Sequence, residues 1–122
     1  GLDGTQTITA YGYGMNGKEA IAQSLKNGIY DLLFKGIVSE KQECNLKPIV
    51  PEVNAKEKYE EYFNKFFASD GEYLKFIKGS SSKKWPTTVS QNGSPRIMYK
   101  TTFHILRSEL RKKLIEDNII HE

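Results

Sequence analysis

The segment "TITAYGYGMNGKEA", residues 7–20, constrains the fold of this chain more than any other stretch. Its polar and apolar residues alternate as in a half-buried strand, which we place at roughly Thr5 to Tyr13. Asn16 then offers a helix N-cap, and Glu19 follows at the spacing of a capping box. A strand that leads directly into a capped helix is therefore the first predicted unit.

The helix that follows is predicted to run to Val38. Its apolar and small residues recur at helical intervals and form one stripe: Ile21, Leu25, Gly28, Ile29, Leu32 and Gly36. Small residues in its first half would let the helix lie close to a sheet, and we expect Gly28 at the point of contact. Gly12 and Gly14 are expected to bend the strand as it passes into the helix.

The middle of the chain predicts a connector and a second, shorter helix. Pro48 and Pro51 exclude a continuous helix, and "LKPIVPEV" is typical of an extended segment. A second capping box, Asn54 with Glu57, would open the helix, and Asp70-Gly71 would end it. One face of this helix is aromatic: Tyr59, Tyr62, Phe63, Phe66 and Phe67. We interpret that face as core, and any part left uncovered as a dimer or partner surface.

Two more strands and a last helix complete the predicted elements. "EYLKFIKG" and "RIMYKTTFHIL" alternate as strands do, and the turn-rich segment between them carries the hairpin signal Asn92-Gly93 and a short strand at Trp85 to Val89. Apolar residues at helical spacing then mark a terminal helix with a basic opposite side. The apolar set is Leu106, Leu110, Leu114 and Ile115, and the basic set is Arg107, Arg111, Lys112 and Lys113.

These elements predict an α+β fold in the order β-α-α-β-(β)-β-α, with helices on one face of a small antiparallel sheet of three to four strands. The 122 residues are enough for one domain, which we place at 5–122, with 1–4 as a remnant of expression or of a linker. Six Phe, seven Tyr and one Trp supply core material. No apolar run approaches the length of a membrane span.

The pattern Gly12-x-Gly14-x-x-Gly17 is also the written form of a nucleotide-binding turn, since a strand precedes it and a helix follows. A dinucleotide-binding unit would continue into a second parallel strand ending in an acidic residue, whereas Ser39, Glu40 and Lys41 form a polar run here. We therefore expect these glycines to serve packing, and we keep nucleotide or phosphate binding as the alternative.

Catalytic chemistry has few candidates. Cys44 is the single cysteine, and a nucleophilic role would need a histidine base, for which the chain has only His104 and His121. His104 falls within the last strand, where a cross-strand role is expected. Glu57, Glu60 and Glu61 are expected on a solvated helix face, paired with Lys56, Lys58 and Lys65. We predict no catalytic, cofactor or metal site, and no enzyme activity.

An interaction surface is predicted instead at Lys83, Lys84 and Trp85, within the turn-rich segment, and at Tyr59 and Tyr62. A net charge of +3, with the signs interleaved, gives no strong case for nucleic acid. Stacking of single-stranded nucleic acid on Trp85 remains an alternative.

The two ends of the chain resemble a known family. "ITAYGYGMNGKEAIAQSLKNGIYDLLFKGI" together with "YKTTFHILRSELRKKLIEDNI" resembles the N-terminal domain of the flagellar assembly protein FlgT and related small lipoprotein domains of the bacterial envelope. The matching positions are Gly12, Gly14, Glu19, Ala20, Leu25, Leu106, Leu110 and Leu114.

That resemblance implies a non-enzymatic assembly or scaffold domain exported to the periplasm or cell envelope. The expected partner is another envelope protein or a second copy of the chain, with no nucleic acid. Because the chain opens at Gly1 without Met, we expect a processed or trimmed chain, from which an export signal or a lipid anchor could have been removed. Any membrane attachment is expected through such a removed anchor alone.

Overall fold

The computed structural model describes residues 5–35, 48–50, 54–68, 70–84, 89–91 and 94–120. The elements are, in chain order, β1 (Thr5–Gly14), α1 (Gly17–Phe34), α2 (Ala55–Lys58), α3 (Glu60–Phe66), a 3₁₀ helix (Glu72–Phe76), β2 (Ile77–Lys84), β3 (Val89–Gln91), β4 (Ser94–Leu106) and α4 (Arg107–Glu116). The predicted α+β class is confirmed.

The long strand β4 is the centre of an antiparallel sheet. It pairs with β1 on one side, from Thr5 opposite Leu106 to Gly14 opposite Ile97. On the other side it pairs with β2, and the short β3 pairs with its first residues. Strands β1 and β2 therefore lie on opposite sides of β4 although both run antiparallel to it.

The first strand and helix form as their sequence predicts. Ile8 and Ala10 are buried, whereas Thr7 and Thr9, which alternate with them, are exposed, so β1 presents its apolar side to the core. The Asn16 side chain accepts a hydrogen bond of 2.9 Å from the Glu19 backbone N–H, which caps α1. The helix ends at Phe34, before the predicted Val38, and 36–38 lie outside the described residues.

One apolar core joins the helices to the sheet. Ile29 and Leu32 of α1, Phe103 and Ile105 of β4, and Leu110 of α4 are all fully buried in it. The connector after α1 adds the buried side chains of Ile49 and Val50 to this core. The backbone N–H groups of these two residues donate to the carbonyls of Leu32 and Leu33, which holds the connector against α1. The aromatic face of the second helix lies against the same core, with Phe63 and Phe66 buried. The interpretation of this aromatic face as part of the core is confirmed.

The predicted strand at "EYLKFIKG" is wrong over most of its length. Residues 72–76 form a 3₁₀ helix, because Tyr73 and Phe76 both enter the core and lie three positions apart, which one turn of that helix brings to the same side. Strand β2 begins only at Ile77 and extends through the serines to Lys84, where the sequence suggested a turn-rich excursion. Ser80 to Lys84 are exposed, so backbone pairing with β4 rather than apolar alternation holds this strand.

The start of the second helix and the position of the short strand differ from their predictions. Asn54 does not cap the second helix with its side chain but has a left-handed backbone, φ 69°, and the helix is divided into α2 and α3 at Tyr59. β3 begins at Val89, where the short predicted strand was to end, and 85–88 lie outside the described residues. Gln91 pairs with Ser94, so the strands on either side of Asn92-Gly93 form the predicted hairpin.

Candidate functional site

The glycines of the first strand lie against the backbone of α1. A Cβ atom on Gly12 would lie 2.3 Å from the backbone nitrogen of Ser24 and 2.5 Å from the carbonyl oxygen of Ala20. A Cβ on Gly14 would lie 2.5 Å from the backbone nitrogen of Ala20. Both distances are far below van der Waals contact, so the space that each glycine leaves open is filled by the protein's own helix.

The expected bend of the strand at these glycines is wrong. Gly12 and Gly14 pair in regular register with Tyr99 and Ile97, and neither has a left-handed φ. Gly28 does lie where α1 meets the sheet, since a Cβ there would be 2.7 Å from Cζ of Phe103. The three glycines thus allow close contact between α1 and the sheet. On the side that faces α1, Gly12 and Gly14 leave no room for a pyrophosphate.

The catalytic candidates are not brought together in the described residues. His104 lies exposed on β4, and its Nδ1 is 2.9 Å from the hydroxyl of Thr7 on β1, the expected cross-strand role. Cys44 and His121 lie outside the described residues. Among the residues that the structure places, no group of three His, Cys, Asp or Glu side chains could hold a metal ion.

The carboxylates of the second helix are exposed as expected, but their expected ion pairs to Lys56 and Lys65 are not found within the described residues. In 54–68, Glu57, Glu60 and Glu61 have no ion pair to Lys56 or Lys65. The ammonium of Lys56 lies instead 4.8 Å from the ring centre of Tyr30, and that of Lys58 lies 5.3 Å from the ring centre of Tyr59. An ammonium over an aromatic face is attracted by the negative face of the ring.

The residues predicted to form an interaction surface lie in separate places. Lys83 and Lys84 are exposed at the end of β2, opposite Lys100 and Tyr99, whereas Trp85 lies outside the described residues. Tyr59 and Tyr62 are half-buried on the helical side and pack against the core. The sequence could not show that the lysines and the tyrosines lie apart, because their positions depend on where the 3₁₀ helix ends and β2 begins.

Tyr62 is tied into a polar network between α3 and α4. Its hydroxyl donates a hydrogen bond of 2.7 Å to Oδ2 of Asp117, which also pairs with Lys113 at 3.2 Å. Lys113 reaches Glu72 at 3.8 Å. Burial and the bond to Asp117 raise the pKa of Tyr62, while the Tyr62 hydroxyl and the Lys113 ammonium lower the pKa of Asp117. The network is therefore suited to holding α4 in place rather than to proton transfer near neutral pH.

The face of the sheet opposite α1 is open along β1. It is formed by the outward residues of β1 and their partners on the neighbouring strands, and we call it the outer sheet face. Its members are Thr7, Thr9, Tyr11 and Tyr13 on β1, Met98, Lys100, Thr102 and His104 on β4, and Ser81 and Lys83 on β2. None of these positions is acidic. The Thr9 and Thr102 hydroxyls bridge the strands at 3.1 Å.

The largest apolar exposure of the described residues is concentrated at the end of β1. Tyr11 is 41% exposed and Tyr13 44%, and Met15, in the turn before α1, is 64% exposed. Leu74 is the other large apolar side chain with comparable exposure in the described residues. We call Tyr11, Tyr13 and Met15 the tyrosine patch. Sequence reasoning missed it, although bulky residues at the outward positions of an alternating strand were the available signal.

Strand β1 is also at the edge of the described sheet, where β4 is its one partner. A groove of about 460 Å³ follows this edge between β1 and α1, and Tyr11, Asn27 and Tyr30 are among its lining residues. The Asn27 side-chain amide donates a hydrogen bond of 2.9 Å to the carbonyl oxygen of Tyr11. The patch and the groove thus meet at Tyr11.

None of the helices that the structure describes is both long enough and apolar enough to cross a membrane. Comparisons of the chain with protein-family profiles, with curated proteins and with solved structures give no significant match.

Proposed function

We propose that this chain is a non-catalytic domain of the bacterial cell envelope that works through protein contacts made by strand β1. The observation that supports this most is the tyrosine patch, in which consecutive outward positions of an edge strand expose large side chains to solvent. Exposed apolar surface rimmed by polar residues is typical of a protein interaction site. Tyr is also among the residues that contribute most to binding when a partner covers them.

The partner is a different protein rather than a second copy. The outward positions of the outer sheet face include Lys83 and no carboxylate, so two copies placed face to face would bring lysines together without an acidic group from that face to oppose them. A partner with acidic groups around an apolar centre would complement the same face. The envelope location is supported by the resemblance of the two terminal segments to envelope domains.

Site-specific photo-crosslinking tests this proposal. A benzoylphenylalanine placed at Tyr13 in cells that naturally produce the protein should give a discrete crosslinked product with another protein. The same residue at Lys112, which is exposed on α4, is the matched control and should not give that product. Products that are identical at both positions, or absent at Tyr13, would contradict contact through β1. A crosslinked homodimer would replace the hetero-partner with a second copy.

Cell fractionation tests the location separately. Antibody against the domain should detect it in the envelope or periplasmic fraction, together with the crosslinked product. Recovery in the cytoplasmic fraction alone would contradict the envelope assignment and leave the binding surface to be judged by the crosslinking.

A further inference from the structure

A cavity of about 400 Å³ lies between the second half of α1 and the helices α2 and α3. Four aromatic side chains line it, Tyr30 and Phe34 from α1 and Phe63 and Phe67 from the α3 region, and we call it the aromatic cavity. Its volume is within the range of sites for small ligands. The cavity lies on the helical side of the sheet and does not depend on the function proposed for β1.

The aromatic rings meet at steep angles and so form adjoining walls. The ring centres of Tyr30 and Phe34 are 5.0 Å apart with planes inclined at 55°, and those of Phe34 and Phe63 are 5.0 Å apart at 76°. Aromatic faces that surround a space favour a cation within it.

Two carboxylates border the same cavity. Glu57 and Glu60 both line it, and within the described part of the chain neither carboxylate has an ion-pair partner. An anionic ligand would be repelled by these groups. A neutral apolar ligand would cover the rings but leave the carboxylates without a counter-charge.

The protein already places one of its own ammonium groups at this site. Lys56 lines the cavity, and its Nζ lies 4.8 Å from the ring centre of Tyr30 rather than in an ion pair with Glu57 or Glu60. Lys56 is exposed and its stem is flexible, so it can leave the ring for water. Its position shows that the Tyr30 face accepts an ammonium in this setting.

From these contacts we propose that the aromatic cavity binds a small organic cation of the alkylammonium class. The ammonium group would lie on the rings of Tyr30 and Phe34, with Glu57 and Glu60 supplying counter-charge, and Lys56 would be displaced. Choline chloride is a suitable probe, because its quaternary ammonium has the size and charge that an aromatic cage accommodates.

The test is a titration followed by two-dimensional ¹H–¹⁵N NMR of the whole chain at constant ionic strength, with sodium chloride balancing choline chloride. Saturable shifts are expected at the amides of Tyr30, Phe34 and Asn64. The neutral isostere 3,3-dimethylbutan-1-ol is the matched ligand control and should bind more weakly. No saturable shift with choline, or an equal response to the isostere, would overturn the proposal.

Substitutions distinguish a cation site from a merely apolar cavity. Glu60→Gln should weaken choline binding about two- to fivefold, whereas Glu61→Gln, on the neighbouring exposed carboxylate that does not line the cavity, should leave it unchanged. Lys56→Met should strengthen binding by a similar factor, because it removes the nearer of the two ammonium groups on the Tyr30 ring, Lys56 at 4.8 Å and Lys35 at 5.7 Å from the ring centre. Weaker binding by Lys56→Met, or equal effects of the two glutamate changes, would overturn the proposal. All three positions are exposed, so the variants should fold like the parent, which their NMR spectra would verify.

Discussion

Gly12 in strand β1 and Ser24 in helix α1 approach so closely that a Cβ atom on Gly12 would lie 2.3 Å from the Ser24 backbone nitrogen. The neighbouring atoms belong to a helix backbone and cannot rotate away as a side chain can. The position therefore sets how closely α1 lies on the sheet.

Gly12→Ala should destabilise the protein by about 3 kcal/mol, at the upper end of the cost of overpacking, because the helix must move away from the strand. Gly79→Ala is the matched control in the same sheet, since no atom lies within 4 Å of a Cβ placed there. Urea unfolding followed by circular dichroism would compare the two. Equal midpoints for the two variants would show that the Gly12 contact can relax at little cost.

Gly28→Ala should destabilise the chain by about 1–2 kcal/mol, because the new Cβ would lie 2.7 Å from Cζ of Phe103. The flexible partner here is a side chain, so Phe103→Leu should relieve the clash. The cost of Gly28→Ala should then be clearly smaller in the Phe103→Leu background than in the wild type. Additive free energies of unfolding in this double-mutant cycle would refute a direct contact between the two positions.

Ser24, Thr101 and Ser82 form a hydroxyl network that links α1, β4 and β2. Ser24 Oγ lies 2.6 Å from Thr101 Oγ1, which is 3.0 Å from Ser82 Oγ, and the first two side chains are fully buried. Ser24→Ala alone should cost about 1–2 kcal/mol, because it leaves a buried hydroxyl with one partner fewer. Thr101→Val should cost less in the Ser24→Ala background than in the wild type, since the double variant leaves neither of these two hydroxyls behind. Calorimetric unfolding of the four proteins measures this, and full additivity would argue against the network.

Tyr62→Phe should lower stability by about 1 kcal/mol at pH 7 through loss of the hydrogen bond to Asp117. Tyr59→Phe is the control, because no hydrogen bond of the Tyr59 hydroxyl is found within the described residues. The two variants should differ in denaturant midpoint. A Tyr62→Phe protein as stable as Tyr59→Phe would mean that the hydroxyl bonds equally well to water.

The same network predicts how stability varies with pH. The folded pKa of Asp117 is below its ordinary value of 3.8, so its contribution is present above that pH and is lost as the pH falls through the folded pKa. The pKa of Tyr62 is raised above its ordinary value of 10.0, so its contribution is present below pH 10.0 and is lost as the pH rises beyond it. The difference in stability between wild type and Tyr62→Phe should therefore shrink toward acid pH. Above pH 10.0 the wild type should lose stability that Tyr62→Phe keeps, because the variant has no phenol to ionise. A constant difference across the range would contradict the assigned bond.

The sequence alone determined the elements whose pattern is local. The alternation of β1, the Asn16 cap of α1, the long strand β4 and the Leu110 and Leu114 stripe of α4 all follow from the spacing of apolar residues and from capping chemistry, which act over a few positions. The α+β class followed from the order of these elements.

Tertiary structure decided the features that depend on contacts between residues distant in the chain. Residues 72–76 became a 3₁₀ helix since Tyr73 and Phe76 both had to reach the core, and Ser80–Lys84 became a strand because β4 offered its backbone. Gly12 and Gly14 look like a phosphate-binding turn in the sequence, but α1 folds back onto them and fills the space. Tyr11 and Tyr13 stay exposed because the described helices that cover β1 lie on its other face. Local patterns specify which residues form a strand or a helix, whereas only the packed chain determines which faces remain open.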